Sequence, residues 1–517
     1  MIKMTHPPVE PQRIMPTSSD RSNLNQWRHR LDAALERLRE RAGLVPVDLL
    51  RELARARAER VLRDHAWPPT VLPALNRLRE ASSPAYLVGG SVRDCLLDRA
   101  GDPTLDVSTS LTPPEVMRRF ARVEPIGLQH GTVLVVEPGL RFECTTFRRE
   151  GEYADARHPD HVAFTHDPLE DLARRDFTVN ALAFDPVAGT LLDPFGGALD
   201  LERAVLRAVG AAADRFHEDA LRPLRAARFA STLEFDLDPA TEAALGSVTE
   251  RARLVAMERV REEWLKLMAA AAPSRAIELL RRAGLLALWM PELDACVGVT
   301  QNRYHAYDVY EHSLKTCDAA PRDKPRVRWA ALLHDIGKPP TKVMRNGDAT
   351  FYGHEEVGAE LADRLLERFR FPNDERDAIV HLVRQHMFDY RAEWSDAAIR
   401  RWLRRVGIDA VADLFDLRIA DAMGNGIKIS SPRALDELHE RIQLQLARED
   451  ALSVRDLKVD GRDVMEALGL PPGPSVGEVL EALLERVLEN PELNQRERLL
   501  TLMREPVATG NAGGNET

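Results

Sequence analysis

Nowhere in its 517 residues does the chain carry an apolar run of about 18, the length a helix needs to span a bilayer, so no membrane span is expected. The first twenty residues, MIKMTHPPVEPQRIMPTSSD, lack the apolar core of a secretory signal and predict a disordered leader over 1–23. Cysteine is scarce. Cys95, Cys144, Cys296 and Cys317 show neither CxxC spacing nor a disulfide framework, which fits a reducing cytoplasm. Excess positive charge is also missing: 71 Lys and Arg stand against 82 Asp and Glu, a net −11. That argues against indiscriminate nucleic-acid binding but leaves room for a local basic face. Arg far outnumbers Lys, and guanidinium groups suit bidentate grips on phosphate and base edges. No internal repeat is visible.

What is present exceeds one core. Domains run to ~100–200 residues, so three or four are expected. Residues 24–80 carry helical periodicity, as in LDAALERLRERAG and VDLLRELARARAERVLRDH, and read as an amphipathic extension packed on its neighbour. Residues 81–212 alternate short β-rich runs (AYLVGG, LDVSTS, GTVLVVE, RFECTTF, FTVNALAFD, GTLLDPFGG) with helices such as TPPEVMRRFA, with Thr112 as N-cap and Pro113 in its first turn. This predicts a mixed α/β domain. From about 217 the pattern is almost wholly helical, including HEDALRPLRAARFA, MERVREEWLKLMAAAA and SRAIELLRRAGLLALW. After about 450 the reading is helix, Pro/Gly turn, helix, with a disordered tail over 506–517.

Four motifs in the first part carry chemistry. Gly89-Gly90 ends a short apolar strand; without side chains there, backbone amides can approach a phosphate, and Arg93 lies three residues on. The plainer reading is a tight structural turn. Asp106 and Glu143 sit in alternating strands, where neighbouring carboxylates can hold Mg²⁺ or simply face solvent. Arg174 and Arg175, followed by Asp176 and Asn180, suit a triphosphate or a solvated helix end. Glu218, Asp219, Arg222 and Arg225 share one helical face, fit either to read a base edge or to pair with one another.

In this order, LVGGSVRDCLL, LDVST, GTV, FECTTFRRE, RRDFTVNALAFD, DPFGGALDL, EDALRPLRAARFA and ERVREEWLKLM resemble the class II tRNA nucleotidyltransferase and poly(A) polymerase family over roughly 80–290. The resemblance implies an α+β fold. A nucleotidyltransferase palm, a small mixed sheet with helices, spans 81–212. An all-α neck for base and RNA binding spans 213–298. It implies metal-dependent transfer of a nucleotide from CTP or ATP to the 3′-hydroxyl of tRNA or another RNA, with Mg²⁺ in the palm. Gly89, Gly90, Arg93, Arg174, Arg175, Asp176 and Asn180 then fall on the nucleotide side. Asp219 and Arg222, with Arg225 nearby, match the pair that selects the base. Asp106 matches a metal-binding aspartate and Glu143 a supporting carboxylate. One departure stands out: the family pattern Asp-x-Asp is here Thr104-Leu105-Asp106, and the glycine-to-aspartate spacing is one residue longer. Asp102 replaces the missing ligand if the loop bulges; Thr104 contributes only a hydroxyl. The alternatives are a palm kept for RNA binding alone, and a poly(A) polymerase.

The second constellation lies in 299–430. His334-Asp335 sits in ALLHDIGK, read as an apolar helix, with His312 before it and His354, His386 and Asp421 after it. A lone His-Asp pair is usually a satisfied core group, but imidazole with carboxylate also suits Ni²⁺, Mn²⁺, Fe²⁺ or Zn²⁺, and Asp335 is placed to bridge two ions. The set resembles the HD-domain phosphohydrolases over roughly 300–425. It implies His312, His334, Asp335 and Asp421 as the basic metal quartet, His354 and His386 as the ligands of a two-metal site, and hydrolysis of 2′,3′-cyclic phosphates, 2′-nucleotides or phosphomonoesters. A C-terminal helical region over 431–505 completes the organisation.

Overall fold

The computed structural model describes residues 46–79, 83–100, 103–150, 153–155, 158–159, 162–302, 305–426, 432–448 and 451–504. The leader, the helical pattern at 31–43, Asp102 and the tail over 506–517 lie outside the described residues. The chain forms two compact units, 1–289 and 290–517.

A seven-stranded sheet organises the first unit. Its strands are β1 (Ala85–Val88), β2 (Thr104–Thr109), β3 (Val123–Gly127), β4 (Thr132–Glu137), β5 (Leu140–Thr146), β6 (Ala183–Asp185) and β7 (Thr190–Leu192), in the order β7-β6-β1-β2-β5-β4-β3. All neighbours are antiparallel except β2 and β5, which run parallel with Asp106 opposite Glu143. Period-2 alternation explains the faces. On β5, Leu140, Phe142 and Cys144 are buried while Glu143 is exposed and Thr145 half-buried. FTVNALAFD, read as one β-rich run, contains a 3₁₀ turn (Thr178–Asn180) before β6, because the side chains of Thr178 and Asn180 are taken by Asp200 and Asp176.

Helix α1 (Val47–Asp64) buries Leu50, Ala54, Ala58 and Leu62, a four-residue spacing that makes one continuous stripe. Arg57 forks onto Glu202, and Glu59 accepts from the amide of Leu191 at 2.9 Å, holding α1 to the sheet unit. Helix α2 (Gly89–Leu96) begins directly at the glycine pair. Beyond the sheet come α3 (Ala212–Glu218), α4 (Arg222–Thr232), α5 (Met257–Met268) and α6 (Pro273–Arg282).

Two helices expected as continuous are divided. HEDALRPLRAARFA breaks at Asp219, whose backbone is extended (φ −134°, ψ 107°). The cause is Pro223: its ring would collide with the carbonyl four residues back, which is that of Asp219, whereas it is tolerated in the first turn of α4. Glu218 and Asp219 therefore do not share a helical face with Arg222 and Arg225. SRAIELLRRAGLLALW divides at Gly284, in the left-handed region at φ +73°.

Among its described residues the second unit is helical, with one small hairpin (Val343–Arg345 and Asp348–Thr350). Its centre is α7 (Val309–Ala319), α8 (Pro325–Leu333), α9 (His354–Arg368), α10 (Asn373–Gln385) and α11 (Val411–Gly424). His334 and Asp335 are not inside a helix, as ALLHDIGK suggests: α8 ends at Leu333 and they occupy the following turn. A side chain at Gly337 would strike the carbonyl of His354 and the backbone of Gly358, so glycine is what lets this turn seat against α9. Gly461–Leu468 and Pro474–Glu489 follow as the expected helix, turn, helix.

Candidate active sites

A cavity of about 790 Å³ in the first unit is walled by the sheet face and the helices above it. It gathers Gly89, Gly90, Arg93, Asp106, Glu143, Arg174, Arg175, Asp176, Asn180, Asp219, Arg222 and Arg225 in one space, while Thr104 and Glu218 lie outside its lining. Gly89 adopts φ +61°, and a Cβ there would meet Arg175 Nη1 at 2.9 Å and Asp106 Oδ2 at 3.3 Å. The glycine is required twice, for the backbone and for the approach. Asp106 and Glu143 project from adjacent strands in register. Thr104 lies two residues from Asp106, on the same strand face by alternation.

The arginines are held by acids deeper in the unit. Asp171 is buried and accepts from Arg174 Nη2 at 2.7 Å and from Arg175 Nη2 at 3.4 Å. Burial pushes its carboxyl up, but the two guanidinium charges outweigh this and hold it below the usual range. Asp176 is treated the same way: burial opposes ionisation, and Arg225 with the amide of Asn180 more than compensates. Arg225 also reaches Glu263 on α5. Asp176 and Arg225 thus form a buried brace at the cavity wall. Arg93 donates to Asn180 Oδ1 at 2.6 Å. Arg222 donates to Glu218 Oε2 and to the carbonyls of Arg215 and Arg174.

Sequence reasoning missed several lining residues. Asp219 is gripped through both oxygens by Arg259 of α5, forty residues on. Asp171, three residues before Arg174 and behind the lining, carried no signal of burial in the sequence. Ser108, His130, Thr132, Thr145 and Arg148 complete the floor; strand alternation from Asp106 and Glu143 was the available clue to Ser108 and Thr145.

In the second unit the histidines converge from helix ends. His354 opens α9, His386 follows α10, and His312 and Asp421 sit within α7 and α11. Asp335 is central. Its Oδ2 lies 3.2 Å from His334 Nε2 and 3.5 Å from His312 Nε2; its Oδ1 lies 3.4 Å from His354 Nε2 and 3.9 Å from His386 Nε2. Asp421 Oδ1 is 3.1 Å from His312 Nε2. Two metal-sized groups result, His312/His334/Asp335 and Asp335/His354/His386, sharing one carboxylate. All six side chains predicted here come together.

Backbone carbonyls orient the rings: the Nδ1 atoms of His334, His354 and His386 face the carbonyls of Ala331, Phe351 and Val383 at 2.6–2.8 Å, leaving each Nε2 aimed inward. The donor set and orientation fit divalent transition ions. Lys338 Nζ bonds Asp335 Oδ2 at 2.6 Å. Burial pushes the Asp335 carboxyl up, and the charges of His334 and Lys338 overcome it, holding it well below the carboxylate range. Burial also lowers His386 to about 3, so its imidazole is neutral at pH 7, the form that ligates. The adjoining cavity of about 590 Å³ adds His305, which sequence reasoning missed, and Arg418.

Residues 85–207 match the Poly A polymerase head domain, 234–297 the probable RNA and SrmB-binding site of polymerase A, and 303–426 the HD domain. The chain is 34% identical to the CCA-adding enzyme of Lactobacillus johnsonii over 81% of its own length and 92% of that protein's. It is 40% identical to the A-adding tRNA nucleotidyltransferase of Deinococcus radiodurans over 61% and 74%. A crystal structure of the Bacillus stearothermophilus CCA-adding enzyme in complex with CTP superposes with a TM-score of 0.64 at 31% identity, covering 85% of this chain and 97% of that one. The chain belongs to the class II CCA-adding enzyme and poly(A) polymerase family, in the form that carries an HD domain. It is a nucleotidyltransferase. Among the described residues no helix is long and apolar enough to cross a membrane.

Proposed function

We propose that the first cavity adds C and/or A from CTP or ATP to the 3′-hydroxyl of tRNA. The observation that carries this reading is the register of Asp106 with Glu143 on the floor of a cavity that also holds the glycine turn, the paired arginines and Asp219 with Arg222. In this reading the turn at Gly89-Gly90 with Arg93, Arg174 and Arg175 cradles the triphosphate, where guanidinium forks match phosphate oxygens. Asp219 offers acceptors and Arg222 donors to a base edge, and Arg259 orients Asp219. Asp106 and Glu143 fit Mg²⁺, which takes few protein carboxylates; when bound it activates the hydroxyl and stabilises pyrophosphate. The acceptor's 3′-oxygen bonds to the α-phosphorus as the α–β anhydride bond breaks, and the hydroxyl proton leaves to a cavity carboxylate or water.

The HD cavity is proposed to hydrolyse phosphoesters at RNA ends: 2′,3′-cyclic phosphates, 2′-nucleotides or phosphomonoesters. The shared carboxylate of Asp335 supports a two-ion site holding Ni²⁺, Mn²⁺, Fe²⁺ or Zn²⁺. The free cysteines support a reducing, cytoplasmic setting.

Purified protein with Mg²⁺, labelled CTP and ATP, and a tRNA transcript lacking its 3′ end tests the first activity directly: incorporation is expected. A second reading, a palm retained for RNA binding beside a working hydrolase, is favoured by one observation, Thr104 at the position of the first aspartate. Absent incorporation, with phosphoester hydrolysis intact on adding Ni²⁺ or Mn²⁺, establishes that second reading.

A further inference from the structure

The nucleotide side of the first cavity leaves one wall unused. Across the sheet, β1, β2, β5 and β4 are successive neighbours. The glycine turn follows β1, and the candidate metal carboxylates stand on β2 and β5. Neighbouring strands lie roughly 4.8 Å apart, so the cavity floor continues about one strand further, onto β4. There Thr132 sits opposite Thr145 of β5, with their hydroxyl oxygens 3.0 Å apart. His130 ends the turn just before β4, and Arg148, just after β5, donates to its carbonyl. All four residues line the same cavity.

In-line transfer at phosphorus requires attacking and leaving oxygens on opposite sides of the reacting atom. A triphosphate drawn to the β1 side by Gly89, Arg93 and Arg175 has its leaving pyrophosphate there. The attacking hydroxyl must then enter over β5 and β4. The wall on that side has the chemistry of a nucleotide seat. Two linked threonine hydroxyls share one hydrogen bond and retain an O–H and lone pairs for ribose hydroxyls. Arg148 and His130 supply donors for a phosphodiester. We propose that Thr132, Thr145, His130 and Arg148 seat the 3′-terminal nucleotide of the RNA acceptor. The proposal rests on the polymerase reading of this cavity.

The test separates acceptor from nucleotide. In Thr145→Val and His130→Ala, the KM for a tRNA transcript lacking its CCA end should rise roughly five- to tenfold, as for loss of one or two hydrogen bonds. The KM for CTP should stay at the wild-type value. A rise in the KM for CTP alone, or no change in either, overturns the proposal. A second measurement is independent of catalysis: wild-type protein should bind that transcript more tightly than the same transcript shortened by one nucleotide, and Thr145→Val should lose the difference. Retained discrimination in the variant counts against the seat even if the wild type incorporates nothing, the result that would sink the polymerase reading itself.

Discussion

The two cavities solve one problem, holding reactive side chains still, by different means. In the first unit long arginines reach into a cavity from its rim. They are fixed by buried carboxylates, Asp171 for Arg174 and Arg175 and Asp176 for Arg225. In the second unit short histidines are themselves buried, and backbone carbonyls fix them. On the proposed reading the difference follows from the ligand. A triphosphate is large and anionic, so its partners must extend and stay charged. A metal ion is compact and wants neutral imidazoles at close range. The arginine lattice therefore depends on charge pairs, local for Asp171 with Arg174 and Arg175 and distant for Asp176 with Arg225, whereas the histidine cluster depends on its helices meeting correctly.

The largest expected effect breaks the first cavity alone. Asp106→Ala should lower nucleotide incorporation at least roughly a hundred- to thousandfold, because phosphoryl transfer relies on positioned charge, while phosphoester hydrolysis continues. Paired assays on one preparation check it, and equal loss of both activities would mean the two cavities are not separate. Next, Asp335→Ala removes the carboxylate common to both metal groups. Metal content by elemental analysis should fall for both ions together, with hydrolysis down at least about a hundredfold and incorporation retained. Loss of a single ion would show that Asp335 does not bridge. Smaller still, Asp171→Asn releases two arginines without changing side-chain size. The KM for CTP should rise about tenfold, by analogy with a lost charge-assisted hydrogen bond, and the tRNA KM should hold. Steady-state kinetics with each substrate varied in turn decides it.

The smallest effect is thermodynamic. Asp171, Asp176 and Glu263 have folded-state pKa values below their ordinary ones. Below about pH 4 the unfolded chain binds more protons than the folded one, so their stabilisation is complete above that pH and is lost as pH falls further. Acid unfolding of Asp176→Asn followed by circular dichroism should show a shallower dependence on pH than the wild type; an unchanged slope would mean Asp176 is not ionised by its pairing with Arg225.

The ordered motifs made the palm and the HD cluster legible through their resemblance to known families, because glycine turns, alternating strands and histidine positions leave local signals. HEDALRPLRAARFA misled in an instructive way: its helical periodicity is genuine, but Pro223 forbids continuity past Asp219. ALLHDIGK misled similarly, since the apolar run ends one residue before His334. Arg259 was invisible because its meaning is its contact with Asp219, forty residues away in sequence. Asp171 was invisible because burial leaves no mark on a lone carboxylate.

By itself the sequence determined the class of chemistry: which side chains are available, in what order, and that two constellations occupy different stretches. Tertiary structure decided which of those side chains meet within each constellation. Only the parallel register of β2 with β5 brings Asp106 beside Glu143. Only the meeting of four helices with one glycine-dependent turn gives the two oxygens of Asp335 separate histidine pairs. Such pairings join residues far apart along the chain, and the free energy that selects them comes from burying the faces between them, not from any local preference.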